Sequence, residues 1–402
     1  MKSLSFLALT CSLSLAEIEI YPTLHFSGVI GDTTADSLAD VGGHAHDPNT
    51  NDLSVQGLDV GLNVKVDDWF AAFVNMNAFT DADRELDAEL EEAFAKFQNL
   101  PGGFEIRAGR FLNRIGLQNN RHLHSWNFVN ANLTTSQFLG EEGLFTEGVE
   151  LNWFREFDQS FIALTASYGN APEHDHHGEE EHDEHEDEDE EHEEEEEHED
   201  EHEDEHGHES AEGALFNGKI TTARALFGYN NSDFHQHRLG FNGAWGENGY
   251  DRDTSLFSAD YTYTWRENGL ESGGRAFSIG AEHFYRDVQW THAENAANQG
   301  STSQSGYMAF AQYRFAEQWI ADLRYEHLEG STGGPELDMG EIEYAFSSAE
   351  RDRLALALTY EFEYKELDSY IRTQYSHDKT DEGDEDSIFL QVGFNFGQGE
   401  VR

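Results

Sequence analysis

Three segments of this chain alternate, residue by residue, between apolar side chains and polar or small ones. They cover residues 58–66, 257–265 and 354–362. Because successive side chains of a β-strand point to opposite faces, each segment predicts a strand with one apolar face. About ten residues is also the length with which a tilted strand crosses a bilayer. The pattern therefore predicts an all-β fold of membrane-spanning strands whose polar faces line a lumen.

The connections between the predicted strands are of two kinds. Short turns such as Asp67-Asp68, 101–103 and 365–367 alternate with long polar loops. A soluble β-sandwich has no such systematic difference, whereas outer-membrane barrels combine tight periplasmic turns with long external loops. We therefore predict a transmembrane antiparallel β-barrel. Its sixteen segments lie near residues 22–30, 54–66, 69–79, 88–99, 104–112, 143–154, 160–169, 215–229, 235–245, 255–266, 275–288, 305–315, 319–328, 353–363, 368–377 and 387–396.

The strand number has one open alternative. The region from Gly330 to Asp352 contains a further alternating stretch, Glu341 to Phe346, and one more hairpin there would give eighteen strands. An even number places both ends of the barrel on the periplasmic side. With sixteen strands a barrel is wide enough to leave a water channel.

The first sixteen residues predict a secretory signal peptide. Lys2 is followed by an apolar run that reaches Ser14-Leu15-Ala16 before the acidic Glu17, and Cys11 is the single cysteine of the sequence. We expect residues 1–16 to be removed and residues 17–402 to form the barrel, without disulfides or thiolate metal ligands. No apolar run downstream has the length of a membrane-spanning helix.

Residues 173–212 differ from the rest of the chain. They hold 26 Asp or Glu, ten histidines and no Lys or Arg. So polar a segment cannot bury enough surface to offset its ordering entropy, and we predict a disordered external loop, the fourth of the barrel. Imidazole and carboxylate ligands suit Zn²⁺ first, with Ni²⁺ and Cu²⁺ as competitors. The candidate metal ligands are His174, His176, His177, His182, His185, His192, His198, His202, His206 and His208.

The charge balance excludes one class of partner and favours another. The net charge is −57, of which the tract contributes 26 negative charges and the other 362 residues 31. Nucleic acid is not expected as a partner, because phosphate binding needs clustered Lys and Arg. The predicted lumen is mixed in charge and has no rows of Lys or Arg for an anion pathway. Cations are therefore the expected partners.

Two stretches of the third loop carry a family resemblance. Gly109-Arg110-Phe111, with Gly116 a few residues on, resembles porin-type outer-membrane proteins of the phosphate-selective porin superfamily. The stretch His122-x-His124-x-Trp126-x-Phe128 resembles zinc-regulated outer-membrane proteins that commonly carry a His-rich acidic loop. The resemblance covers residues 57–153 best. It implies a channel of the Gram-negative outer membrane, surrounded by outer-membrane lipid, with metal ion as solute.

In porins the third loop often folds into the barrel, so the resemblance implies that His122 and His124 lie near a constriction, together with Glu141 or Glu142. Two histidines at i and i+2 on an extended segment also point the same way and can reach one ion. The alternative is that these histidines only hold the loop in place. A further pair, His44 and His46, is interpreted as an ordinary polar loop tip in preference to a metal site.

The last strand and the family both suggest partners. Residues 388–396 end in Phe396 and resemble the C-terminal strand that the barrel-assembly machinery recognises, although six residues follow that Phe. Porins often form trimers, so a homotrimer is one assembly to consider, while no residue pattern marks a subunit interface.

The sequence thus predicts an outer-membrane channel for divalent metal ions, zinc above all, with an external loop that concentrates the metal. Zn²⁺ is expected as a bound or transported ion and no catalytic cofactor is expected. An enzyme is not expected, because no nucleophile motif is present. The alternative is a surface protein that buffers metal or adheres, with the barrel only as its anchor.

Overall fold

The computed structural model describes residues 17–81, 84–172, 214–291, 297, 299–338, 341–365, 367–380 and 383–397. The predicted signal peptide, residues 1–16, lies outside the described residues. The predicted disorder of residues 173–212, and their ten histidines, also lie outside them.

Sixteen strands form one closed antiparallel barrel, as predicted. The barrel strands are β1 Ile18–Thr33, β2 Ser54–Val66, β3 Phe70–Thr80, β4 Leu86–Leu100, β5 Phe104–Leu112, β6 Phe145–Glu156, β7 Ser160–Ala171, β8 Phe216–Ser232, β9 His235–Asn248, β10 Asp253–Arg266, β11 Ala276–Thr291, β12 Gln299–Ala316, β13 Trp319–Leu328, β16 Arg351–Tyr364, β17 Leu367–Thr380 and β18 Asp384–Phe396.

Each barrel strand pairs with its neighbour along the chain, and the last pairs with the first. Leu24 of β1 lies opposite Phe396 of β18, and the pairing continues to Thr33 opposite Ser387. Both ends of the barrel sheet therefore lie on the side of the short turns, the periplasmic side. On the opposite side lie loop 1 (residues 34–53), loop 3 (residues 113–144) and the strand ends that flank residues 172–215.

The additional hairpin between Gly330 and Asp352 forms but does not join the barrel. Its strands, β14 Ser331–Asp338 and β15 Glu341–Ser348, pair only with each other among the described residues, while β13 pairs directly with β16. The barrel therefore has sixteen strands and not eighteen.

Within the part of the chain that the structure describes, helical structure is confined to the loops. Loop 1 contains α1, Leu38–Val41, and loop 3 contains a 3₁₀ turn, Leu123–Ser125, followed by α2, Leu133–Leu139. Among the residues described, no helix is long and apolar enough to cross a membrane.

The strand faces follow the alternation that the sequence predicted. On β2, Leu58, Val60 and Leu62 are exposed on the outside, while Asp59 is 4% and Asn63 0% exposed on the inside. The same holds for the apolar faces of β10 and β16. Because the outward surface is apolar, it requires a hydrocarbon environment.

Aromatic side chains gather where the strands meet the short turns. Trp69, Phe70 and Phe97 pack with ring centroids 5.4–6.0 Å apart, and the centroids of Trp319 and Tyr360 are 4.8 Å apart. Aromatic rings favour the boundary between hydrocarbon and water, and such girdles mark outer-membrane barrels. A closed barrel with these features is an outer-membrane protein of a Gram-negative bacterium, as the sequence predicted.

Gly109 of the Gly-Arg-Phe motif is required by close strand packing. Its φ is +134°, and a Cβ there would lie 2.2 Å from the backbone oxygen of Ala93 on β4. A backbone atom cannot move aside as a flexible side chain can, so another residue at this position must separate the two strands. In contrast, a Cβ on Gly28 of β1 would meet its nearest atom at 3.5 Å.

We expect Gly109→Ala to destabilise the folded barrel by about 1–3 kcal/mol, the usual magnitude for backbone strain of this kind. Urea unfolding in lipid vesicles, followed by tryptophan fluorescence, measures the change. Gly28→Ala is the control and should unfold like the natural chain. Equal stability of the two variants would contradict the strand-contact explanation.

Candidate functional site

Loop 3 folds into the barrel, as the family resemblance implied, and arginines of the wall hold it there. Arg372 donates from Nη2 to the carbonyl oxygen of Trp126 at 2.8 Å and from Nη1 to that of Phe128 at 3.1 Å. Arg324 donates to the carbonyl of Asn130 at 3.0 Å. Charge-assisted hydrogen bonds of this kind stabilise by about 1.5–3 kcal/mol each. Loop 3 therefore has a fixed position across the lumen.

Acidic and amide side chains of the wall accept the backbone N–H groups of the same loop. Leu133 donates to Glu326 at 2.6 Å and Val129 donates to Gln374 at 2.7 Å. At the entrance of the loop, Gly116 has a φ of +70° and lies against Glu282, which a Cβ would approach to 2.1 Å. The glycine that contributes to the family resemblance thus allows loop 3 to contact the wall.

Loop 1 also packs inside the mouth of the barrel, against loop 3. Asp47 accepts the N–H of Ala131 at 2.7 Å, and Ala45 donates to the carbonyl of Glu141 at 3.1 Å. His46 is only 4% exposed. The interpretation of His44 and His46 as a polar loop tip is therefore wrong. Loop 1 turns into the lumen and packs there, whereas the tip of a free loop would be exposed to water.

A β-bulge in β4 brings two consecutive glutamates into the lumen. The pairing with β3 places Asn75 opposite Glu92 and Met76 opposite Leu90, so Glu91 has no partner in the ladder. The extra residue shifts the alternation, and Glu91 and Glu92 are both buried on the inside, at 4% and 1% exposure. Bulges re-aim side chains in this way beside functional sites.

The loop histidines and wall carboxylates form three clusters along the inner wall from β4 to β1. We call them the Glu89 cluster (His46, Glu89, Glu91), the Glu92 cluster (Glu91, Glu92, His122) and the Asp59 cluster (Asp59, His124, His25). Glu89 lies near the loop end of β4, and His25 lies near the middle of β1. The row therefore extends from the mouth toward the middle of the barrel.

In the Glu89 cluster, a single imidazole nitrogen faces two carboxylates. His46 Nε2 lies 3.1 Å from Glu89 Oε1 and 3.2 Å from Glu91 Oε1. Burial by itself lowers the pKa of His46, but hydrogen bonds and charges from Glu89 and Glu91 outweigh it and raise this pKa well above its usual value. Burial and the adjacent His46 lower the pKa of His44. Burial and the charge of Glu89 raise the pKa of Glu142 to about 7.

The Glu92 cluster contains one of the two histidines singled out in the sequence. His122 is fully enclosed, with its Nε2 3.2 Å from Glu92 Oε2 and 3.8 Å from Glu91 Oε2. Its ring lies over Phe73 at 6.0 Å between centroids. A cavity of about 20 Å³, enough for one water-sized occupant, opens between this cluster and His46.

The Asp59 cluster contains the second predicted histidine. His124 Nδ1 lies 3.8 Å from Asp59 Oδ2, and the rings of His124 and His25 are 5.6 Å apart. Within the described residues, the two carboxylate oxygens of Asp59 have no hydrogen-bond partner. The same holds for the Nε2 of His25. His25 Nδ1 lies 2.5 Å from Asn395 Oδ1, so it carries the proton and leaves Nε2 with a lone pair.

The structure brings His122 and His124 together but on a segment of different shape from the one expected. The 3₁₀ turn replaces the expected extended segment, and the two rings meet edge to face at 5.9 Å beside different carboxylates. The alternation of residues 58–66 predicts that their polar face, which includes Asp59, lines the lumen, but Glu89, Glu91 and His25 were missed as neighbours of the histidines. One signal was available: the outward residues Leu90 and Ala93 are three apart, which breaks the alternation and indicates a bulge.

No family model matches the chain. An uncharacterised protein of Aquifex aeolicus is 32% identical over 114 residues, which are 28% of this chain. The match spans 23% of that protein, about a quarter of its length.

Several outer-membrane proteins of known structure have a similar fold at 10% sequence identity. A loop-deletion mutant of OmpT from Vibrio cholerae superposes with a TM-score of 0.52 over 95% of this chain and 99% of its own. The outer-membrane channel DcaP of Acinetobacter baumannii gives 0.51 over 95% and 97%. An anion-selective porin from Comamonas acidovorans gives 0.50 over 94% and 100%. The chain therefore has the sixteen-stranded fold of outer-membrane porins.

We expect Arg372→Ala to loosen loop 3, because two backbone carbonyls lose a buried donor. A spin label on Ser125→Cys, in a chain with Cys11 replaced by Ser, should give a broad spectrum in the otherwise natural barrel and a narrower one in the Arg372 variant. Arg314→Ala is the matched control, since Arg314 donates instead to Glu317 and Glu361. Identical spectra from all three chains would show that Arg372 does not hold the loop.

Proposed function

We propose that this protein is an outer-membrane channel for divalent metal ions, with Zn²⁺ as its main solute. The observation that carries the proposal is the placement of His122 and His124 against buried carboxylates, of which Asp59 has no hydrogen-bond donor within the described residues. A buried carboxylate without a donor is costly unless a cation or water neutralises it. The porin-like fold supplies the path, and imidazole with carboxylate supplies ligands suited to zinc.

The distribution of charge supports a cation as the solute. Five buried or partly buried arginines of the wall, which are Arg286, Arg324, Arg351, Arg353 and Arg372, are engaged with loop carbonyls or with carboxylates. The groups that face the loop histidines are acidic instead. An anion would therefore meet carboxylates along the row of clusters, whereas a divalent cation would meet a favourable potential.

The acidic tract, residues 173–212, acts in this proposal as a collector of metal outside the cell. On the side of loops 1 and 3, β7 ends before the tract and β8 begins after it. Many weak imidazole and carboxylate ligands raise the local concentration of divalent cations by mass action, and exchange stays fast because each site is weak. Metal then enters the mouth by diffusion. The likeness to OmpT, of which a trimer form is known, also makes a homotrimer part of the proposal.

Zinc conductance across a planar bilayer tests the channel directly. We expect a cation-selective reversal potential in a ZnCl₂ gradient, and a roughly tenfold lower Zn²⁺ conductance for Asp59→Asn, because a unit charge 4 Å away contributes about 1–4 kcal/mol. Asp322→Asn on β13, away from the row, should have little effect. A barrel that is only an anchor would show no zinc conductance in any of these chains.

The collector has a separate test in cells. Replacing the ten tract histidines with Asn keeps the length and the carboxylates, so it removes only the imidazoles. We expect this variant and a deletion of residues 173–212 to lower zinc uptake at limiting external zinc and to match the natural chain when zinc is abundant. If the His→Asn variant takes up zinc normally under limitation while the deletion does not, negative charge alone accounts for the tract.

A further inference from the structure

We propose that His46, Glu89 and Glu91 form a discrete binding site for one divalent metal ion, suited to Zn²⁺, and that Glu91 passes the ion on to His122. The binding site stands on its own geometry. The transfer step rests on the proposed function, because it needs a net movement of metal through the barrel.

The three side chains present ligand atoms at the spacing that a zinc ion needs. One atom from each lies within 4.8 Å of the others, and His46 Nε2 is 3.1 and 3.2 Å from the two carboxylate oxygens. With zinc bonds of about 2.0–2.1 Å, neighbouring ligands of a tetrahedral site are about 3.3 Å apart. The ligand atoms are therefore close to a bound arrangement without any large movement of loop 1 or β4.

A proton on His46 Nε2 satisfies Glu89 and Glu91 less well than a metal ion would. The N–H of an imidazolium is one donor, whereas Glu89 and Glu91 both direct an oxygen at the same nitrogen. Moreover, Glu142 lines the same small cavity as His44 and His46 and adds a third carboxylate there. A divalent cation would neutralise the converging carboxylates, and the cavity of about 20 Å³ leaves room for a water molecule as fourth ligand.

Neighbouring groups hold the proposed ligands in position. Gln56 donates from Nε2 to the carbonyl oxygen of His46 at 3.0 Å, which fixes loop 1 to the wall at this residue. Asn75 donates to Glu91 Oε2, which orients the carboxylate and leaves Oε1 directed at His46. Such supporting hydrogen bonds are typical of metal sites, where they set the orientation of each ligand.

Glu91 belongs to two clusters at once and thereby connects them. Its Oε1 faces His46, while its Oε2 lies 3.8 Å from His122 Nε2, which is itself 3.2 Å from Glu92. An ion that shifts from one oxygen of Glu91 to the other exchanges His46 and Glu89 for His122 and Glu92. Each position offers one imidazole and two carboxylates, and at the second position Glu92 also lies 3.8 Å from Arg107. Similar affinities at adjacent sites are what conduction through several sites requires.

The site can be tested on the full-length chain with the ten tract histidines replaced by Asn, which lowers background binding. Zinc affinity is measured by competition with a chromophoric chelator, and anomalous diffraction locates the ion. We expect one ion between loop 1 and β4, with at least about tenfold weaker binding for Glu89→Gln and for His46→Asn. Glu147→Gln is the control, because Glu147 is an exposed carboxylate paired with Arg110. No ion at this position, or unchanged affinity in both variants, would overturn the site.

Two further measurements distinguish a misfolded variant, a failure of the metal site and a failure of the proposed function. Heat-dependent mobility on gels reports whether each variant forms a barrel; should His46→Asn fail to fold, the isosteric Glu89→Gln decides the question. For the transfer step, zinc flux into liposomes should fall at least about tenfold in Glu91→Gln and remain unchanged in Glu147→Gln. Zinc bound at His46 without any flux through the natural chain would leave the site intact and overturn the proposed function. Zinc flux through the natural chain with no ion at His46 would overturn the site and leave the proposed function intact.

Discussion

The position of loop 3 depends on buried arginines that must be satisfied inside the barrel. A guanidinium enclosed by protein costs several kcal/mol unless carbonyls or carboxylates surround it. Arg324 and Arg372 obtain those partners from the backbone of loop 3, and Arg353 obtains them from Asp378 and from loop 1. The loops are therefore drawn to one wall of the barrel. Their histidines face carboxylates of β2 and β4.

Under the proposed function, the arrangement of charges in the interior accounts for a difference in solute within one fold. A structural neighbour is an anion-selective porin, yet it shares the fold with the present chain at 10% identity. The strand framework therefore leaves selectivity open, and side chains decide it. Here five arginines of the wall are engaged with loop carbonyls or with carboxylates, while Asp59, Glu89 and Glu91 are directed at the row of histidines. In the proposed channel, cation selectivity would follow from which charges are already neutralised, more than from the count of each sign.

The sequence predicted the barrel well because each strand of a barrel has a periodic alternation of apolar and polar residues. β2, β5 and β13 have the bounds that the alternation gave, since strict period two with one apolar outward face admits one register. The prediction was less successful where structure depends on contacts between distant segments. The burial of His46 arises from loop 1 packing on loop 3. Likewise, the 3₁₀ turn at Leu123–Ser125, which separates His122 from His124, is set by packing inside the lumen and not by local spacing.

The bulge at Glu91 makes the chemistry of β4 depend on the length of the strand. Without the extra residue, strict alternation would send one of the two adjacent glutamates into the lipid, and the pair of clusters that share Glu91 could not form. A substitution at this position changes one ligand, but the loss of a single residue would change the phase of every side chain beyond it. In a lineage of such barrels, a one-residue insertion or deletion in β4 could therefore create or abolish the whole row in one step, with the barrel itself left intact.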